Sequence, residues 1–419
     1  MNIAYDLTWL SVQYRGGGLF QYSMRLLTAF VRCTSHSIVA IISAGCEELF
    51  TELADAANFR LVIKPKYRSF TAIIKKENIQ VIHTPVQRLI NFTLAAPMIM
   101  SLHDLQPFYY PDFFTPREIE YRNVQYRKSA EFSERVVVTF QHVKDDIVKF
   151  YKIPADKIDV CPFGMSEAEP LASEFIQIVR RKYDLPETYL FYSANTFRHK
   201  NHLGLLRGLK LLHETYGLKV PLICTGFQNP DFFPQIEGEV MRLDLADTVR
   251  FLGYLPEEEM PVVLSGATLS VIPTLYEAGS FPLMEAMNHG VPVICSTTTS
   301  LPDTIGDRRF VFDPDSPKDM AEKMAMMLTD NKLRQENIVN SAARVKGWRW
   351  ERALTPFVES YQKAFDSFAA KKRSRWYSGW DDKCEFMAMR IESKLRRKLG
   401  IYSDEMARVR SEMEKNTRQ

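Results

Sequence analysis

Residues Leu275 to Pro292 read LYEAGSFPLMEAMNHGVP, and just upstream Leu269, Val271 and Ile272 form an apolar run that stops at Pro273. Strand, glycine-bearing loop and helix follow one another, with Gly290 closing the helix. The first turn of a helix presents unpaired backbone N–H groups and a partial positive charge, which suits phosphate. Ala278, Gly279 and Ser280 are small enough for a diphosphate to approach the backbone at Phe281 and Leu283. Pro282 suits the first helical position, where a missing N–H costs nothing. Glu285, one turn further in, can accept two hydrogen bonds from a vicinal diol such as a ribose. An isolated pair of glutamates at a helix start reads more simply as solvated side chains, so the neighbouring motifs must decide.

Outward from this stretch, short apolar runs alternate with helical periods in both directions. Ile3–Leu7, Ile38–Ser43, Leu61–Ile63, Val81–His83, Met98–Leu102 and Val136–Thr139 form one series. Tyr189, Val220–Cys224, Val249–Leu252, Leu269–Ile272, Val291–Cys295 and Phe310–Phe312 form a second. Continuous apolar strands separated by helices predict parallel sheets covered on both faces, hence an α/β chain with two doubly wound domains facing a cleft. The expected boundaries are 1–165 and 166–346, then an amphipathic helix over 347–370 and a basic tail over 371–419. The helix is read from Trp350, Leu354, Phe357, Tyr361 and Phe365, with Pro356 as a candidate kink.

Four further stretches carry chemistry. Arg15-Gly16-Gly17-Gly18 follows the first strand without the spacing or acidic partner of a dinucleotide fingerprint, yet three consecutive glycines suit a backbone that a ligand approaches closely. His103, in Ser101-Leu102-His103-Asp104-Leu105, stands at the carboxyl end of a buried strand, where parallel α/β sheets place ligands. Phe108, Tyr109, Tyr110, Phe113 and Phe114 come next and fit loop packing or an acceptor-sugar platform equally well. Arg198-His199-Lys200-Asn201-His202 is a basic loop after the first strand of the second series; two histidines with no nearby cysteine or carboxylate argue against a metal site. Asp313-Pro314-Asp315 resembles a metal-holding Asp-X-Asp triplet, but Ser316 as N-cap, Pro317 as first helical residue and Asp319 in the first turn make it a turn into a helix.

Glu277, Phe281, Pro282, Glu285, Ala286, Gly290, Val291 and Pro292 together resemble the paired-glutamate motif of retaining glycosyltransferases of family 4, although Ala278, Gly279 and Ser280 stand where many members have Gly-Phe-Gly. Gly17 and Gly18, the His103-Asp104-Leu105 triplet and the loop around Lys200 are similar to three other motifs of that family. Residues 133 to 164 resemble the segment that closes its first domain, with Phe140 in place of the usual serine. The resemblance covers residues 1 to about 368. It implies the GT-B architecture and metal-independent transfer of a hexose from a nucleotide diphosphate to a glycan or lipid-linked acceptor in surface polysaccharide synthesis. Lys200, with Arg198, would grip the diphosphate, Gly17 and Gly18 would border it, Glu285 would hold the ribose, and Glu277 and His103 would face the sugar. Retention would follow from attack on the departing face, a donor phosphate oxygen taking the acceptor proton, with a covalent glutamate intermediate as the alternative. GDP-mannose is the slightly favoured donor, because the stretch from Asn195 to His202 looks most like that of mannosyltransferases; a UDP-sugar is the other. The competing readings are an inactive GT-B binding subunit of a polysaccharide assembly complex, and an epimerase or phosphorylase on the same architecture.

Composition sets the outer limits. The 419 residues, 46% apolar and 25% charged, can fill two cores. Residues 371 to 419 hold 14 Lys and Arg against eight Asp and Glu, a surplus of six that turns the chain's net +3 into −3 for the remainder. Six scattered cysteines predict reduced thiols in a cytoplasmic protein, with neither disulfides nor zinc. The start, MNIAYDL, reads as a strand rather than a signal segment, and no apolar run approaches the ~18 residues that span a bilayer. Nucleic acid is not an expected partner. In the tail, Trp376, Tyr377 and Trp380 follow a basic cluster, and Met387, Ile391, Leu395 and Leu399 recur every four residues. Contact with an anionic inner leaflet and packing on the protein's own surface are equally weighted readings of it, with packing on a second subunit as a further one. Lys64, Lys66 and Arg68, interleaved with Tyr67 and Phe70, form a second basic run, read first as a solvated loop and second as a headgroup contact.

Overall fold

The computed structural model describes residues 1–11, 17–66 and 68–374. The expectations that fall on Arg15, Gly16, Tyr67, Cys384 and the tail from 375 onward lie outside the described residues. The chain divides into two compact units, Met1–Cys161 with Thr355–Gln419, and Pro162–Leu354.

The first unit holds strands β1 (Asn2–Asp6), β2 (Ser37–Ile42), β3 (Phe59–Ile63), β4 (Val81–Thr84), β5 (Met98–Ser101), β6 (Arg135–Val138) and β7 (Ile158–Val160). They form one sheet in the order β3-β2-β1-β4-β5-β6-β7, every pairing parallel. Its helices include α1 (Gly18–Cys33), α2 (Phe70–Lys76), α3 (Pro116–Phe132) and α4 (Gln141–Asp146). β4 and β5 are buried along their whole length, as strands covered on both faces must be. The short β7 went unpredicted: Ile158-Asp159-Val160 has one apolar-polar-apolar alternation, too little for a period. Its register is fixed instead by pairing with β6 and by the Arg135–Asp159 ion pair at 2.6 Å.

The second unit holds α5 (Ser173–Lys182), β8 (Leu190–Ser193), α6 (His202–Tyr216), β9 (Leu222–Thr225), α7 (Phe233–Arg242), β10 (Val249–Phe251), α8 (Met260–Ser265), β11 (Leu269–Ile272), α9 (Phe281–Asn288), β12 (Val293–Ser296), α10 (Leu301–Ile305), β13 (Val311–Phe312), α11 (Pro317–Thr329) and α12 (Asn331–Val345). Its parallel sheet runs β10-β9-β8-β11-β12-β13. Strand order reverses between β8 and β11, which pair directly. In open α/β sheets that reversal opens a crevice at the carboxyl ends of the two strands.

The last helix, α13 (Trp350–Ser374), runs four residues beyond the expected end and continues through Pro356 as one element. Its first turn belongs to the second unit, where Trp350 meets the ring of Phe163 at 4.7 Å and lies so close to Gly164 that a Cβ there would stand 2.5 Å from the indole. Its remainder packs in the first unit through Phe357 and Tyr361, both buried.

Candidate functional site

In the second unit the loops after β8 and β11 flank the reversal point, and they carry Lys200 and Glu277. Lys200 Nζ donates to Glu277 Oε2 at 2.5 Å, and both side chains are about 15% exposed. A half-buried ammonium and carboxylate each need a partner, and here each supplies the other's. The backbone around them is locked. Tyr192 Oη donates to the Lys200 carbonyl at 2.9 Å, and the His199 carbonyl accepts from Leu275 N at 2.8 Å and Thr274 Oγ1 at 3.0 Å. Asn201, left-handed at φ 57°, caps α6 and donates to the carbonyls of Pro273 and Pro314, each at 2.9 Å. Arg198 sits two residues before Lys200 on the same 3-10 turn and is exposed.

Gly279 lies in the loop that leads into α9, and Ser280 is the N-cap. Pro282 is the second helical residue rather than the first. The phosphate seat expected at Phe281 and Leu283 is altered by this cap: Ser280 Oγ already accepts from Leu283 N at 3.3 Å. A phosphate using that N–H must displace the buried hydroxyl. Glu285 is one turn inside α9, partly exposed. The helix ends in a full Schellman motif, with Val291 N on Ala286 O at 2.9 Å, Gly290 N on Met287 O at 3.3 Å and Gly290 at φ +67°, as the glycine after the apolar period predicts.

The other predicted residues lie in the first unit. Gly17 is the N-cap of α1 and Gly18 its first residue. Gly17 has an ordinary φ of −96°, and a Cβ on either residue would meet nothing within 4 Å. Neither backbone strain nor packing within the described residues demands glycine there. His103 leaves β5 two residues after Ser101, and its ring meets the Tyr22 ring of α1 edge-on at 4.4 Å between centroids. Burial lowers its pKa to about 4, against a hydrogen bond to the Pro85 backbone that raises it, so the imidazole is neutral at physiological pH. Its Nε2 is buried with no hydrogen-bond partner among the described residues. Asp104 shapes the loop instead, accepting from Gln87 Nε2 at 3.2 Å and from Gln106 N at 3.3 Å.

Sequence reasoning missed the residues that hold these loops. Thr299 Oγ1 donates to the Glu277 carbonyl, and Ser300 Oγ donates to the Ala278 carbonyl at 3.0 Å. Ser296 Oγ reaches the Thr274 carbonyl at 2.7 Å. The signal was available as five consecutive hydroxyl residues, Ser296 to Ser300, starting at the carboxyl end of β12. Phe227 and Tyr254, more than half exposed on the loops after β9 and β10, also went unread. In the aromatic run after His103, Phe108 stacks on Phe150 at 4.3 Å, Tyr110 on Phe113 at 4.9 Å, and Arg122 lies over Phe114 at 4.5 Å. Phe140 caps α4 without a side-chain hydrogen bond, the contact a serine would have made. Asp313 Oδ1 accepts from Asp315 N at 2.9 Å, Asp319 Oδ2 from Asp313 N at 2.7 Å, and Ser316 Oγ from Asp319 N at 3.2 Å, which is the turn and cap read from the sequence. Of the described cysteines, four are buried and Cys33 is exposed.

Residues 17–169 match the family model "Glycosyltransferase Family 4", and residues 175–344 match "Glycosyl transferases group 1". The chain is 28% identical over 268 residues to the O-antigen chain mannosyltransferase B of Escherichia coli, covering 63% of this chain and 70% of the relative. It is 25% identical to the O-antigen chain mannosyltransferase RfbU of Salmonella typhimurium, covering 72% and 85%. Among solved structures, sucrose-phosphate synthase from Thermosynechococcus elongatus superposes with a TM-score of 0.68 at 19% identity, over 88% of this chain and all of that one. A glycosyltransferase from Rickettsia africae superposes at 0.66 and 17% identity, over 87% and 98%. The two family models together span both Rossmann-like units, the fold is shared over most of the chain, and the protein belongs to the GT-B glycosyltransferases of the family 4 type.

Proposed function

We propose that this glycosyltransferase is a metal-independent, retaining hexosyltransferase that takes mannose from GDP-mannose, with a UDP-sugar as the competing donor, and delivers it to a saccharide or lipid-linked acceptor in surface polysaccharide synthesis. The observation that carries the reading is the Lys200–Glu277 pair, held at 2.5 Å where strand order reverses. The names of the two O-antigen mannosyltransferase relatives support the sugar and the setting.

The chemical problem is the departure of a nucleoside diphosphate. Lys200 is positioned to meet its growing charge, with Arg198 and the start of α9 adding positive potential that needs no reorganisation during the step. Arrival of the diphosphate gives Lys200 a second anion, which releases Glu277 from full neutralisation and lets its carboxylate orient sugar hydroxyls. Glu285 holds the ribose, the backbone at Gly17, Gly18, Gly279, Ser280 and Phe281 admits the phosphates, and neutral His103 offers the sugar a ring nitrogen. The acceptor hydroxyl attacks the face the diphosphate leaves, its proton passing to a donor phosphate oxygen.

Thermal-shift titration with GDP-mannose and UDP-glucose tests the donor, since a ligand at ~100 times its Kd adds roughly 2.7 kcal/mol. A shift with GDP-mannose alone is the expected result, and a shift with UDP-glucose alone reverses the donor assignment. Donor turnover in the presence of saccharide acceptors separates this reading from an inactive binding subunit, and NMR of the product should find the donor's anomeric configuration kept. Among the described residues no helix is long and apolar enough to cross a membrane. Attachment to an inner leaflet through residues 371–419 is part of the proposal. Deletion of the tail should reduce sedimentation with anionic liposomes and spare donor hydrolysis; equal sedimentation would reject the attachment.

A further inference from the structure

Behind His103 lies a chain of buried hydrogen bonds that the proposed reaction does not itself use. Tyr22 Oη meets Ser101 Oγ at 3.1 Å, and Ser101 Oγ meets His83 Nε2 at 2.8 Å. His83 Nδ1 meets Tyr361 Oη at 2.7 Å, and Tyr361 Oη meets Tyr5 Oη at 3.0 Å. All five residues are at most 4% exposed. They come from α1, β5, β4, α13 and β1.

The proton inventory makes this chain directional. Each hydroxyl has one proton to donate, and a neutral imidazole has one N–H and one acceptor nitrogen. Burial lowers the His83 pKa to about 3 and keeps it neutral. If His83 Nδ1 donates to Tyr361, then Nε2 accepts from Ser101, Ser101 accepts from Tyr22, and Tyr361 donates to Tyr5. If Nε2 carries the proton, all four bonds reverse together. Both arrangements pair every ring nitrogen of His83, and a break anywhere leaves a buried polar atom without its partner, a costly event in a low-dielectric interior.

One end of this chain is the residue whose ring braces His103, and Ser101, its second member, precedes His103 by two positions on the same strand end. We propose that Tyr22, Ser101, His83 and Tyr361 are positioning residues for His103: Tyr22 sets the plane of the imidazole, and Tyr361, on α13, sets Tyr22 through His83 and Ser101. The inference rests on the reading of His103 as a sugar-contacting group. Its physical content is that His103, which has no partner for Nε2 among the described residues, is oriented from behind by side chains that never touch the donor.

The test uses the full-length chain with GDP-mannose, measuring kcat and KM for Tyr361→Phe, Tyr22→Phe, His103→Ala and the two double variants with His103→Ala. Each tyrosine variant keeps its ring and removes only the hydroxyl. The expected result is a kcat lowered about 10- to 100-fold in each, the scale of a small misplacement of a reacting group, with KM nearly unchanged. In the His103→Ala background neither substitution should lower kcat further, because the residues act through one side chain. Losses that multiply with that of His103→Ala, or an unchanged kcat in both tyrosine variants, overturn the proposal. A donor-independent readout accompanies it: Tyr361→Phe should shift the His103 ring-nitrogen resonances, and unmoved resonances also overturn it. If His103→Ala alone leaves kcat intact, the catalytic reading of His103 fails, while the resonance shift still decides the positioning. Should Tyr361→Phe not fold, Tyr22→Phe carries the same measurements at the other end of the chain.

Discussion

Lys200 and Glu277 are 77 residues apart and are held mainly by the carbonyls and hydroxyls of strand-end loops within one sheet. His103 packs against Tyr22, one end of a buried side-chain network whose longest link, Tyr5 to Tyr361, spans 356 residues. The first arrangement puts charge at a partly exposed crevice, where an arriving anion can compete for it. The second seals neutral groups inside a core, where the protein alone sets their orientation. A charged site can thus be built on local motifs, whereas a neutral one needs support from distant parts of the chain.

The sharpest way to break this contrast is to remove the charge. Lys200→Ala should lower kcat by roughly 10²- to 10³-fold, the range for losing one preorganised donor to transition-state charge. It also leaves the Glu277 carboxylate half-buried without its ammonium. Steady-state kinetics with GDP-mannose measures this directly, and an unchanged kcat would leave the second unit without its principal electrostatic element.

Burial in the first unit carries its own cost, and pH exposes it. Tyr109 donates to Asp146, whose pKa burial raises to about 6 despite that hydrogen bond. The folded state therefore keeps the proton to higher pH than the unfolded chain does, with its ordinary value of 3.8. Stability contributed by this group is complete at low pH and is lost as pH rises from about 4 through 6. Asp146→Asn keeps an acceptor for Tyr109 without the charge, and should stabilise the protein by on the order of 2 kcal/mol at pH 7 and by nothing at pH 4. Urea midpoints at the two pH values check the difference; equal gains would mean that the carboxylate is better solvated than its burial implies.

The same contrast explains what could be read from the sequence. Strand–loop–helix order, the Schellman glycine at Gly290 and the cap at Ser316 are local, so period and residue type were enough. Lys200 and Glu277 were found separately, each on its own motif, and only the fold brings them to 2.5 Å. The His83–Tyr361 link had no signal, because a histidine in an apolar strand and a tyrosine on an amphipathic helix face both read as core. The cap by Ser280 was invisible for a different reason. A serine before a phosphate-binding helix can serve the ligand or the helix, and only geometry shows it serving the helix. Ser280→Ala should therefore cost ~1 kcal/mol of stability, as the loss of a cap does, and leave GDP affinity unchanged. Tenfold weaker GDP binding would instead make the hydroxyl a donor ligand.

The smallest expected effect concerns an acidic triplet that looks functional. Asp313, Pro314 and Asp315 follow β13 at the edge of the same sheet, whereas Lys200 and Glu277 follow the two strands at its reversal point. Two carboxylates at this turn have structural work: Asp313 Oδ1 accepts the Asp315 N–H at 2.9 Å, and Asp319 Oδ2 accepts the Asp313 N–H at 2.7 Å. Ser316 then caps α11, with Pro317 as its first residue. Removing the Asp313 carboxylate deletes one exposed turn hydrogen bond, worth about 1 kcal/mol or less when solvent can replace it. Asp313→Ala should thus lower Tm slightly and leave turnover of GDP-mannose within about twofold, because the turn's tie to the Lys200 loop, Asn201 Nδ2 to the Pro314 carbonyl at 2.9 Å, is a backbone contact that the substitution keeps. EDTA should leave turnover unchanged in both proteins. A strict manganese requirement that Asp313→Ala abolishes would move the chemistry from the reversal point to the sheet edge, and would require the Lys200–Glu277 pair to be read as a structural ion pair.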